Sequence, residues 1–134
     1  MAFRLISRPD PAPMEFLVAN ATALTFGQCV SFNASGRLQP AGATGVIAGV
    51  TTHAVTAGTD QRCRIILATP DQIWEAPYVG TPAGGFVSGV NAVALDATSA
   101  AVNSAVVTGG QIAVLRFTPA TTTALVQIRG RQLA

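Results

Sequence analysis

Hydrophobic and polar positions along this chain alternate over short runs, and turn residues separate the runs. Residues 28–33 place Val30 and Phe32 on one face and Cys29 and Ser31 on the other. Asn33-Ala34-Ser35-Gly36 then reads as a turn, and residues 37–39 begin a return strand. Residues 45–50 and 51–56 are rich in β-branched side chains, broken only by small residues, and 57–60 turn again. The clearest strand pattern is 62–68, with Cys63, Ile65 and Leu67 inward and Arg62 and Arg64 outward. Thr69-Pro70-Asp71 has proline at its favoured turn position.

The second half continues in this style. Residues 73–79 put Trp74 and Tyr78 on a common face if extended, and 80–85 form a loop. Residues 87–95 read as a strand closed by a turn at 96–99 that has room for one helical turn. Gly109-Gly110 lies between two β-like runs, 105–108 and 111–117, which is a hairpin signal. Residues 119–123 read as a linker, and 124–129 as a closing strand with Val126 and Ile128 inward. No segment sustains a period of 3.6. Short, regularly spaced strands of this kind predict an all-β fold, a small β-barrel or sandwich.

Residues 1–15 break the pattern. Pro9, Pro11 and Pro13 each lack an amide hydrogen and push the preceding residue toward extended conformations. The expectation is an extended Pro-rich N-terminal arm over 1–15 and a single β domain over 16–134. Phe3, Leu5 and Ile6 give the arm apolar surface to bury against a neighbour or a partner, with Arg4 and Arg8 beside them.

Composition sharpens the picture. Of 134 residues only 10% are charged, against about 25% in ordinary soluble domains. A monomer with so few charges is poorly protected against association, which favours life inside an assembly. The net charge of +2 is too small for a nucleic-acid footprint, so no direct nucleic-acid partner is expected. All eight basic residues are arginine, the cation favoured at interfaces, although a GC-rich genome yields the same bias. The N-terminus lacks the apolar core of a secretory signal. The uncharged stretches 76–95 and 97–115 are interrupted by proline, glycine and asparagine, so no membrane span is expected.

Candidate chemistry is sparse. Without lysine there is no phosphate-loop lysine and no Schiff base. The lone histidine, His53, lies among strand-like residues with no Gly-x-Ser-x-Gly elbow to supply a nucleophile, and reads as structural or surface. Asp71 and Glu75 are the only closely spaced carboxylates; four apart in a strand they share a face, but Asp71 belongs to a turn. Cys29 and Cys63 lack metal-ligand spacing and read as buried thiols, with a bridge between two strands of one small barrel left open. No catalytic residue, metal site or cofactor is expected. Trp74 and Tyr78 remain as an exposed aromatic contact, the stacking platform a carbohydrate-binding module would need.

Gly27-Gln-Cys-Val-Ser-Phe-Asn-Ala-Ser-Gly-Arg-Leu38, followed by Gly45-Val-Ile-Ala-Gly-Val50, Ala57-Gly-Thr-Asp60 and Cys63-Arg-Ile-Ile-Leu67, resembles the capsid decoration (cement) proteins of tailed bacteriophages. Phe86-Val-Ser-Gly-Val-Asn-Ala-Val-Ala-Leu-Asp96 is a fainter echo, so the likeness covers residues 24–96, with a compatible closing strand at 125–128. It is a likeness of turns and β-branched residues. It implies a compact β core with an N-terminal arm, homo-oligomeric and most often trimeric, made in the host cytoplasm. The resemblance places such a protein on the virion, bound outside the mature capsid to the major capsid protein, which it stabilises without catalysis. On this reading Phe3, Arg4, Leu5, Ile6 and Arg8 are the capsid-contact candidates. A head-tail or tail structural subunit is the alternative within a virion, and a carbohydrate-binding β module the alternative outside it.

Overall fold

The computed structural model describes residues 2–7 and 11–133, and all of it is strand, turn or loop. The strands are β1 (Arg4–Leu5), β2 (Met14–Leu17), β3 (Cys29–Phe32), β4 (Leu38–Pro40), β5 (Gly49–Thr51), β6 (Arg62–Leu67), β7 (Trp74–Val79), β8 (Ala94–Leu95), β9 (Val102–Asn103), β10 (Ile112–Thr118) and β11 (Thr123–Ile128). The fold is all-β, as the alternation predicts.

Five strands form the first sheet, in the order β2-β6-β5-β3-β4, with every neighbouring pair antiparallel. Its β3–β4 hairpin turns where Asn33 Oδ1 accepts the amides of Ser35 and Arg37 at 2.9 and 3.0 Å. Asparagine side chains favour such turns because they satisfy nearby amides locally. Twist curls the sheet until Val18, just past β2, bridges to Leu38 of β4. The enclosed space is filled by Val18, Leu24, Val30, Leu38, Val55, Cys63 and Ile65.

The second sheet runs β10-β11-β7-β9-β8, with β1 also paired to β7. It curls in turn, and Val93, just before β8, bridges to Ile112 of β10. Gly110 permits that approach, since a Cβ there would lie 2.2 Å from the Val93 carbonyl carbon. Trp74, Leu95, Val102, Ile112, Val126 and Ile128 fill this side. Cys29, Ile47, Val50 and Ala68 join the same core from the first sheet. Side chains alternate across a strand, so Val30 enters the inner core and its neighbour Cys29 enters the shared one. Both faces of the first sheet are therefore buried where the second covers it.

Several local expectations are corrected. Residues 87–95 are not a strand beyond Ala94–Leu95: Gly89 adopts a φ of 96°, and the segment follows the edge of β10 irregularly. There the Gly89 amide donates to Val114 O at 2.8 Å, and the Val114 amide to Val90 O at 2.8 Å. Gly109-Gly110 does not join two paired strands. β10 pairs instead with β11, in register Thr118 to Thr123, so residues 119–122 form the hairpin loop rather than a linker. Thr122, at φ 49°, supplies the left-handed turn residue that glycine would usually provide. Of 45–56 only Gly49–Thr51 is strand.

The N-terminal segment is extended, but it is not separate from the body. Phe3 is 2% exposed and belongs to the shared core, and β2 crosses the expected boundary at residue 15. The Phe3 amide donates to Gly27 O at 2.9 Å. Gly27 has a φ of 69°, and a Cβ on it would lie 2.4 Å from Ala2 Cβ, so the crossing depends on glycine there.

Candidate functional site

Phe3, Arg4, Leu5 and Ile6 alternate about β1, and their fates differ accordingly. Phe3 points into the core, where its ring meets Trp74 edge-on at 6.4 Å between centroids. Burial removes Phe3 from the contact candidates and makes it the anchor of the segment. Leu5 is half-buried, while Arg4 and Ile6 are exposed. Arg4 reaches across the sheet to Glu75, its register partner on β7, with Nη2 to Oε1 at 2.7 Å. Arg4 is largely solvated and Glu75 partly so, and a solvent-screened pair of this kind adds little stability. Arg8 lies outside the described residues.

Beside β1 the surface opens into a groove of about 370 Å³. It is lined by Phe3, Arg4 and Leu5 at β1, Trp74 of β7, Val50 and Thr51 of β5 with Thr52 just after it, and Ile66 of β6. Pro11 and Pro13 cross one side, and Phe26 stands on the rim with 55% of its surface exposed. The groove is mainly apolar. Of its polar residues, Thr51 is already engaged, giving its hydroxyl to Thr25 O and accepting the Gln28 amide at 3.0 Å. Ile6 and Met14, each one residue from a lining residue, are 38% and 50% exposed. Phe26 carries no sequence signal beyond lying just ahead of a turn glycine and outside every alternating run.

Trp74 and Tyr78 do share a face of β7, as the alternation predicts, but that face is the core. They are 1% and 7% exposed, so neither offers a ring to a sugar. Tyr78 sits instead in an aromatic group with Phe86 and Phe117, at 5.1 and 5.9 Å. The Trp74 indole nitrogen is buried with no hydrogen-bond partner.

Asp71 and Glu75 do not form a pair. Asp71 accepts the Thr69 hydroxyl at 2.7 Å within its own turn, whereas Glu75 is held by Arg4. His53 is exposed at the end of the β5–β6 ladder, and its Nε2 accepts the Arg64 amide at 3.1 Å. Cys29 and Cys63 are both buried and free. They lie in different cores on opposite faces of the first sheet, which closes the disulfide alternative. Burial raises the Cys29 thiol far above its usual range, with the Asp96 charge adding to the effect. Burial also raises Cys63, partly offset by a backbone hydrogen bond at His53. Neither is an activated nucleophile. Among the described residues, no group of three or more His, Cys, Asp or Glu is placed to hold a metal ion. Likewise no helix is long and apolar enough to cross a membrane.

What these residues build is an apolar groove beside β1, with Phe26 among its lining. No protein-family model matches the chain, and no curated protein matches it either.

Proposed function

We propose that this protein is a structural component of a phage virion that binds the outer face of the mature capsid and stabilises it. The observation carrying the reading is the apolar groove beside β1, with Phe26 on its rim, in a chain where few charges compete for the surface. Interfaces draw their affinity from a few well-packed apolar and aromatic anchors, with arginine at the margin. Arg4, exposed on the groove wall, and Ile6 beside it supply those parts. The likeness of residues 24–96 to decoration proteins names the partner, the major capsid protein, and a homotrimer as the form in which it is met.

Co-sedimentation with undecorated mature heads tests this directly. The protein should pellet with heads until its sites saturate, bind immature shells much less well, and raise the temperature at which heads rupture. Phe26→Asp should weaken attachment by about tenfold or more while leaving the melting of the free protein near wild type, because the ring is mostly solvated. Between about 0.1 and 0.5 M salt, binding should change by less than about threefold, since screening acts mainly on exposed charge pairs. A protein that ignores heads and polymerises into tubes is a tail subunit, and the proposal is then wrong.

A further inference from the structure

The antiparallel ladder between β5 and β6 ends in an unusual way. Thr51 pairs with Ile65, and the next rung begins normally, with the Thr52 amide donating to Arg64 O at 3.0 Å. The reciprocal bond would run from the Arg64 amide to the Thr52 carbonyl. Instead the chain bends away after Thr52, and the Arg64 amide donates to Nε2 of His53 at 3.1 Å. The imidazole thus replaces a backbone carbonyl at the end of a sheet.

This geometry decides the tautomer. Nε2 accepts, so the proton sits on Nδ1, which lies 3.2 Å from the Ala54 carbonyl oxygen, an acceptor only. The neutral ring is therefore satisfied at both nitrogens. A second proton would have to go onto Nε2, where it would face the Arg64 N–H and abolish the bond. Below the ring, the Cys63 thiol donates to the His53 carbonyl oxygen at 3.7 Å, so the same turn covers Cys63. The turn also carries Val55, whose amide and carbonyl exchange bonds with Leu24 at 2.8 and 2.9 Å and seal the inner core.

We propose that His53 is a proton-operated latch: neutral, it fastens the turn after β5 onto β6, and protonation releases that turn from over Cys63. The titratable and charged groups around it are Cys63, Arg62 and Arg64 on β6 and Glu15 on β2, which stands opposite Arg64 and lies 3.8 Å from Arg62. Asp60, on the same connection as the latch, is engaged with Arg37 at 2.8 Å. Released Nε2 therefore has no free carboxylate among these groups to capture it, and the open state gains no compensating partner.

Nuclear magnetic resonance of the full chain tests the latch. At about pH 8 the imidazole ¹⁵N shifts should report the Nδ1–H tautomer. On acidification from about pH 8 to about pH 5, protection of the Arg64 amide should fall. After correction for intrinsic exchange, the loss should be on the order of fivefold to tenfold, as expected for one hydrogen bond. A pyridyl disulfide that reacts with thiols at acid pH should label Cys63 faster over the same range and leave Cys29 untouched. His53→Gln keeps an uncharged acceptor and should hold Arg64 and Cys63 protected at both pH values. His53→Ala should lose protection at both. An Nε2–H tautomer, an Arg64 amide whose protection is flat with pH, or a His53→Gln protein that keeps the wild-type pH response would each overturn the proposal.

Discussion

Gln28, Gln72 and Gln132 each use both ends of the side-chain amide on main-chain groups, work that charged residues and caps share in most domains. Gln72 accepts the Thr69 amide at 2.9 Å and donates to Leu67 O at 2.9 Å, and so closes the turn between β6 and β7. Gln28 accepts from Thr25 at 3.0 Å and donates to Thr98 O at 2.9 Å. Gln72 is only 5% exposed, so its removal leaves a buried amide and carbonyl unpaired. Gln72→Ala should cost about 2–4 kcal/mol in chemical denaturation, while Gln72→Glu should cost at least as much, because a carboxylate cannot donate to Leu67 O. The cysteines make a second residue-scale prediction. Cys29 keeps its proton in the folded protein far above the pH at which an unfolded thiol loses it. Between those two values the native state binds the extra proton, so stability falls as pH rises above about 8.5, by up to about 1.4 kcal/mol per pH unit. Urea midpoints across pH 7–10 should show this decline, and Cys29→Ala should make it shallower, the Cys63 thiol, also raised by burial, contributing what remains. Replacing both cysteines with Ala should cost only about 1–2 kcal/mol at neutral pH, since each removes a small buried group.

Two short elements at the chain ends do more than their length suggests. The C-terminal residues tie the two sheets together: the Ile47 amide donates to Gly130 O at 2.7 Å, and the Gln132 amide to Ile47 O at 2.9 Å. The Gln132 side chain then accepts the Phe32 amide at 2.7 Å and donates to Phe32 O at 3.0 Å. β5 pairs with β3 only as far as Val30, so an amide from the far end of the chain takes the place a neighbouring strand would hold. Deleting residues 130–134 should lower the melting temperature by several degrees, and Gln132→Ala alone should cost about 1–3 kcal/mol through the two groups left open on Phe32. At the other end β1 has two residues, yet Phe3 makes it part of the core. Phe3→Ala should cost about 3–5 kcal/mol, as large-to-small core substitutions do. Loss of residues 1–7 should therefore destabilise the free protein rather than merely loosen its attachment to a capsid. A truncated chain that melts like the full one would show that the segment is dispensable to the body.

At the scale of the molecule, the sheets share one core and cannot unfold independently. Cys29, Ile47, Val50 and Ala68 from the first sheet pack with Trp74, Ile112 and Val126 from the second. Heat should produce one cooperative transition, with calorimetric and van't Hoff enthalpies equal for the dissociated chain. Trp74 is buried in that core, so its emission should be blue-shifted and should shift to the red at the same temperature. Two separate transitions would mean that the inner core around Val18, Leu24 and Ile65 stands alone.

The sequence by itself determined strand identity wherever a run alternates: β3, β6, β7 and β11 lie within two residues of the runs that predict them, because side-chain period and strand geometry are the same fact. It also determined the turn at Asn33–Gly36, which rests on one side chain and its near neighbours. Tertiary structure decided which face of each strand meets what. Trp74 and Tyr78 share a face by local rule, but only packing against residues of the first sheet such as Cys29 and Val50, and against Phe86, turns that face into core. Cys29 and Cys63 both lie in strands by local rule, but only the register of β3, β5 and β6, which sets Cys29 level with Val50 and Val50 with Ile66, puts them on opposite faces of the first sheet. Residues 87–95 and 105–108 carry strand-like composition, yet their backbone partners are remote, and Gly89 bends the first run away from any ladder. The groove beside β1 was illegible for the same reason. Its lining comes from six separate stretches of chain, and proximity among those is settled by packing rather than by any pattern along the sequence.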